Sequence, residues 1–200
     1  MFDEVVRREL PAWLAPSARV VARLGVTPNS VSLAGALLGV MAGVLVARNH
    51  ATIGIVLWLL SRVLDGLDGI LARQSGTTSA FGGYLDITLD MAAYSAMLIG
   101  FALIHPEGGW VWSLVLVGYL MVTTTTLALS SLLEKLQVLR GASNNRSLQF
   151  TPGFAEAGET TVVYVLLVLA PSWAVPIAWV WTAVCFATVI QRTILAKRLL

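Results

Sequence analysis

The chain has 200 residues, of which 57% are hydrophobic and only 12% charged, with a mean hydropathy of +0.80 and a formal net charge of +2. Soluble domains carry about twice that charged fraction, and several apolar runs approach the roughly 18–20 residues that cross a bilayer. A soluble domain is therefore excluded, no nucleic-acid partner is expected, and the fold class read from composition is an all-α polytopic membrane protein.

Residues 1–27 read as a segment apart from the membrane domain of residues 28–200. Here Val5, Val6, Leu10, Trp13 and Leu14 are set against Arg7, Arg8, Arg19 and Arg23. That pattern suits an amphipathic helix lying along the membrane interface, with a solvated helix packed on the bundle as the alternative. "MFDEVVRREL" mixes acids and bases, so no secretory signal is expected. Six membrane helices follow, over residues 28–47, 51–72, 82–104, 110–133, 157–170 and 172–195. The polar breaks between them are "RNH", "RQSGTTSAF", "HPEGG", the stretch 134–156 and "PS".

Six spans put both termini and the second and fourth loops on one side. That side holds Arg7, Arg8, Arg19, Arg23, Arg62, Arg73, Lys135, Arg140, Arg146, Arg192, Lys197 and Arg198, and the other holds only Arg48. So strong a bias places the termini in the cytoplasm of an inner membrane. His50 and His105 fall on the outer side, where loop solvation explains them, and the Asn145-Arg146-Ser147 glycosylation pattern is accidental on the cytoplasmic side. Trp110, Trp112 and Trp173 suit an outer interfacial belt and Trp13 an inner one. Cys185, the single cysteine, reads as a buried, inert thiol.

The second and third spans carry what a membrane core should not. Asp65 and Asp68 lie about 10 and 6 Å from the cytoplasmic end of one helix, and Asp86 and Asp90 about 6 and 12 Å into the next, at 1.5 Å per residue. The i,i+3 and i,i+4 spacings put each pair on one helix face, so two antiparallel neighbours can aim four carboxylates into one cavity. Isolated carboxylates at that depth are costly. Arg62 and Arg73 can offset two charges, and a divalent cation satisfies the rest. All-oxygen ligands favour Mg²⁺, Mn²⁺ or Ca²⁺, and two metals sharing carboxylates suit phosphoryl transfer. Gly66, Gly69, Gly82 and Gly83 leave room for close helix contact or a ligand.

The pattern Asp65-x2-Asp68-Gly69-x2-Ala72-Arg73-x8-Gly82-x3-Asp86-x3-Asp90 resembles the signature of the CDP-alcohol phosphotransferases, membrane enzymes of phospholipid synthesis, with every specified position filled. "GVTPNSVSLAG" upstream is similar to the family's turn into its first membrane helix. The resemblance implies six helices and a homodimer. It also implies two Mg²⁺ or Mn²⁺ ions held by Asp65, Asp68, Asp86 and Asp90, with Asp90 doubling as the general base. Asn29, Ser32, Asp65, Gly69, Ala72, Arg73, Ser79 and Gly82 would line the CDP site. The implied reaction is attack of an alcohol on CDP-diacylglycerol, giving a phosphatidyl alcohol and CMP.

On the acceptor side the chain departs from part of the family. Members that use inositol phosphate carry an Arg-containing "ERPER"-like stretch before the fifth helix, where this chain reads "EAGET". Glu156 and Glu159 could bond acceptor hydroxyls or cap the helix start. Arg192 could touch an anionic acceptor or anchor to lipid headgroups. Thr123–Thr126 could line a pocket or bond their own helix carbonyls. A cation or proton-coupled transporter would use the same acids, but it would need polar residues continuing outward, and "IGIVLWLL" and "MLIGFALI" offer none.

Overall fold

The computed structural model of the protein describes residues 2–139 and 153–200, with side chains for 13–136 and 153–200. Arg140, Arg146 and the Asn145–Ser147 pattern lie outside the described residues, as do the side chains of Val5, Val6, Arg7, Arg8 and Leu10. Among the described residues seven α-helices follow one another: α1 (Phe2–Arg23), α2 (Pro28–Ala47), α3 (Ala51–Ser75), α4 (Ala80–Ile104), α5 (Val111–Leu139), α6 (Ala157–Leu169) and α7 (Ala174–Leu199).

Local chemistry sets the helix ends that matter for the site. Thr27 caps α2, its hydroxyl accepting from Ser30 N at 3.3 Å, with Pro28 in the first turn. Gly76, in the left-handed region at φ 65°, ends α3. Three residues later Ser79 starts α4 by accepting from Gly82 N at 3.0 Å.

Helices occupy all six stretches expected to cross the membrane. Four are long and apolar enough by length and composition: Pro28–Ala47, Ala80–Ile104, Val111–Leu136 and Pro171–Leu199. The other two differ for separate reasons. α3 has 25 residues but carries Arg62, Asp65, Asp68 and Arg73. α6 has only 13 residues, about 20 Å of helix. It stops because Pro171 excludes helical geometry at Ala170, which sits at φ −131° and ψ 64°. α1 packs on the bundle through Ala18, which is buried with Leu67, Ile70 and Leu71, while Trp13, Val20 and Leu24 stay exposed.

Among the described residues the acidic helices α3 and α4 are not packed directly on each other as adjacent neighbours; α2 packs against both and holds them side by side. A Cβ at Gly43 would lie 2.4 Å from the Ala96 carbonyl, and one at Gly100 would lie 2.5 Å from the Gly43 oxygen. Backbones this close admit only glycine. Gly83, beside the acidic motif, serves differently, since a Cβ there would meet nothing within 4 Å. Close backbone packing is thus found at Gly43 and Gly100, whereas Gly83 borders open space and Gly69 and Gly82 face the side chains of Arg73 and Ser79.

Several expected surface groups are interior. Trp112 is buried, its Nε1 donating to the His105 carbonyl at 2.9 Å, and so is not part of a belt. Trp110, Trp173 and Trp13 are exposed, as a belt requires. His105 is not simply solvated, because its Nδ1 lies 3.0 Å from Glu107 Oε1 and its ring stacks on Trp112. Cys185 is fully buried.

Gly43→Val should lower stability by about 1–3 kcal/mol through overpacking, seen as a reduced thermal midpoint in detergent. Gly83→Ala should leave that midpoint unchanged or slightly raised.

Candidate active site

One end of the bundle opens into a cavity of about 940 Å³. Its walls come from the starts of α2, α4 and α6 and the ends of α3, α5 and α7. Alternating helix direction brings those six ends to the same face.

Asp65, Asp68, Asp86 and Asp90 all line this cavity. Carboxylate oxygens of Asp65, Asp68 and Asp86 lie within 4.8 Å of one another. Oxygens on one divalent cation stand about 2.0–2.6 Å from it, so two on opposite sides are separated by about 4–5 Å. The three acids are close enough for one hard cation to draw an oxygen from each. Asp68 is the most buried of them, and the Ser32 hydroxyl donates to its Oδ2.

Asp90 is placed differently. Its Oδ1 accepts from Arg62 Nη1 at 2.6 Å, and the same nitrogen lies 3.7 Å from Asp65. Arg62 is itself fixed, with its guanidinium 4.5 Å from the Trp58 ring centre and Nη2 donating to Ser61 Oγ at 3.1 Å. Asp90 thus stands beside the three-acid cluster with one oxygen on Arg62 and its second oxygen left to accept from another group.

The expected nucleotide-side residues converge here. Asn29, Ser32, Gly69, Ala72, Arg73, Ser79 and Gly82 line the same cavity as the acids. Arg73 is exposed, and its guanidinium lies over Gly69, where a Cβ would stand 3.3 Å from Nη1. Glycine at 69 lets the guanidinium lie along the wall. Ser79 also caps α4, so it positions the chain as well as lining the site.

On the opposite wall the expectations divide. Glu156 lines the cavity and accepts from Gly153 N at 2.6 Å, bracing the turn into α6. Glu159 is partly buried and is not among the lining residues. Arg192 is buried, donating to the Val122 carbonyl at 2.9 Å and to Thr126 Oγ1 at 2.5 Å, so it is not a headgroup anchor. Thr126 also donates to the Val122 carbonyl at 2.8 Å, and so bonds its own helix while lining the cavity. Beyond Asp90 the bundle is closed by fully buried Trp58, Met97, Phe101 and Tyr164. Among the described residues, no polar path of the kind a transporter needs continues through that plug.

Comparisons with known proteins bear on the family and the fold. Residues 25–189 match the family model described as CDP-alcohol phosphatidyltransferase. The chain is 34% identical to the inner membrane protein YnjF of Escherichia coli over 197 residues, covering 96% of this chain and 93% of that one. It is 37% identical to an archaetidylinositol phosphate synthase of Pyrococcus horikoshii over 123 residues, 59% of this chain and 63% of the relative. Crystal structures of the Mycobacterium tuberculosis phosphatidylinositol phosphate synthase share the fold with a TM-score of 0.74 at 21% identity. They cover 92% of this chain, and this chain covers 88% of the form with manganese and citrate and 92% of the form with CDP-DAG bound.

Mn²⁺ binding, followed by electron paramagnetic resonance, should weaken at least tenfold in Asp86→Asn. It should change less in Asp90→Asn, whose carboxylate is engaged by Arg62.

Proposed function

Because the chain belongs to the CDP-alcohol phosphatidyltransferase family, we propose that it transfers a phosphatidyl group from CDP-diacylglycerol to an alcohol and releases CMP. The observation that carries this reading is the three-carboxylate cluster of Asp65, Asp68 and Asp86, with Asp90 beside it in the same cavity. A divalent cation held by those three residues, Mg²⁺ or Mn²⁺, would neutralise charge on the pyrophosphate as CMP departs. The donor set supports one such ion directly, and a second would draw on Asp90.

The chain's own groups divide the remaining work. Arg73 offers a planar fork to a phosphate at the rim of the site. Asn29 and Ser79 bring the starts of α2 and α4 against the nucleotide, and Gly69 and Gly82 let it approach the backbone. Asp90 takes the proton from the acceptor hydroxyl as its oxygen attacks the lipid-linked phosphorus and the bond to CMP breaks. Arg62 holds that carboxylate in place. Arg192 and Glu156 form the acceptor-side wall.

The protein is an integral membrane protein, as its apolar helices and its full-length likeness to an inner membrane protein support. We place the open end of the cavity on the cytoplasmic side with both termini, on the strength of the Lys and Arg bias. There α1 would lie at the interface with Trp13 toward the lipid. The family resemblance supports a homodimer.

With CDP-diacylglycerol and Mn²⁺, the purified protein should release CMP only when an alcohol acceptor and the metal are both present. Asp90→Asn should reduce that rate by about 100-fold or more while CDP-diacylglycerol still binds. Arg73→Ala should instead raise KM for the nucleotide lipid. An Asp90→Asn protein with full turnover would refute the base assignment.

A further inference from the structure

Along its described side chains α1 presents three different faces. Leu14, Ala18 and Val21, spaced i, i+4 and i+7, turn toward the bundle, and Ala18 is completely buried. Trp13, Val20 and Leu24, spaced i, i+7 and i+11, form a second line that faces outward, with Trp13 79% and Leu24 74% exposed. Arg19 and Arg23, one turn apart, border that line and are exposed as well. From Trp13 to Arg23 the helix carries two arginines and no acid. Neither guanidinium makes an ion pair among the described residues.

The inward face of α1 rests on the back of the cavity wall. Ala18 packs in one small cluster with Val31 of α2 and with Leu67, Ile70 and Leu71 of α3. Those α3 residues alternate with Asp65, Asp68, Ala72 and Arg73, which line the cavity from the other side of the same helix. Val31 adjoins Ser32, whose hydroxyl donates to Asp68. The cluster is separate from the main core around Trp58 and Phe101. α1 also reaches α6, another wall of the cavity. Gly25, at φ 72°, then turns the chain from α1 into the Thr27 cap of α2, two residues before Asn29. The position of α1 thus bears on both helices that carry the nucleotide side of the site.

We propose that the outward side of α1 docks on anionic phospholipid headgroups, and that this docking steadies the α2–α3 wall so that KM for CDP-diacylglycerol falls as the leaflet becomes more negative. The proposal rests on the interfacial placement of α1 and on the phosphatidyl-transfer reading above. An apolar line bordered by arginines enters the boundary between headgroups and acyl chains, with its cations at the level of the phosphates. Each arginine near an anionic surface strengthens attachment about fivefold. Charge is what selects the occupant, because the outward side of the helix is basic without a compensating acid. Held by the Ala18 cluster on one side and by lipid on the other, α1 limits the motion of the wall, and a nucleotide binding to a steadier wall loses less conformational entropy.

The test places the full-length protein in nanodiscs of phosphatidylcholine alone, or of phosphatidylcholine with about 30% phosphatidylglycerol. Amide hydrogen exchange over residues 13–23 should slow at least fivefold on adding the anionic lipid, and high salt should remove the difference. KM for CDP-diacylglycerol, as mole fraction in the disc, should fall about 3- to 10-fold in the same comparison. Arg19→Gln/Arg23→Gln should lose both effects while keeping its turnover in phosphatidylcholine and its thermal midpoint in detergent. Should that variant fail to fold, the wild-type comparison of the two lipids decides by itself. Equal exchange in the two lipids would overturn the proposal and leave α1 at the interface. Exchange in both lipids as fast as in detergent would overturn that placement as well. Protection in detergent that grows with protein concentration would assign the apolar line to a second copy of the chain and overturn the lipid docking. Charge-dependent exchange with an unchanged KM would overturn the coupling to the site. Absence of CMP release in either disc with any alcohol would sink the phosphatidyl-transfer reading and the coupling with it, while the exchange measurement still decides the docking.

Discussion

Four carboxylates set into an apolar helix bundle are the constraint around which the rest of the molecule is arranged. Taking even one charged group out of water costs several kcal/mol unless a partner or an ion compensates it. Arg62 lies within 4 Å of both Asp90 and Asp65, yet one guanidinium cannot balance four acids. Asp65, Asp68 and Asp86 are gathered at the spacing of a cation's ligands. The contacts that produce this gathering lie on α2, which packs against α3 at Gly35 and Gly54 and meets α4 backbone to backbone at Gly43 and Gly100. Helix packing deep in the bundle thereby sets the geometry of acids near its end.

The cavity divides its labour by wall. The α2–α3–α4 side carries the acids, Arg73 and the small residues that a nucleotide can approach. The α5–α6–α7 side carries threonines, Glu156 and Arg192, whose bonds are largely internal. Between them, Arg62, Asp90 and Tyr94 form a short polar ladder against the aromatic plug of Trp58 and Tyr164. A site open at one end and closed by apolar side chains at the other suits transfer between a lipid and a polar acceptor, and it does not suit passage through the membrane.

Much of this was legible in the sequence because helix geometry turns spacing into position. The i,i+3 and i,i+4 pairs and the count of residues from each helix end place the four aspartates at one depth, and the structure has them lining one cavity. What spacing could not supply was direction around each helix. Trp112 and Arg192 lie near helix ends, where belts and headgroup anchors occur, yet both face inward. Gly43, on α2, and Gly100, ten residues after Asp90 on α4, lie outside the acidic motif, and the spacing of the acids points to neither. The short α6 follows from Pro171, which ends the helix whatever the hydropathy of its neighbours.

The most direct test of the central claim is a pulsed electron–nuclear double resonance measurement on the Mn²⁺-loaded protein with CDP added. The account requires a ³¹P coupling that places phosphate on the manganese, present in the wild type and absent in Asp86→Asn. Bound manganese with no ³¹P coupling, or a coupling that survives Asp86→Asn undiminished, would mean that the aspartate cluster does not hold metal against the pyrophosphate.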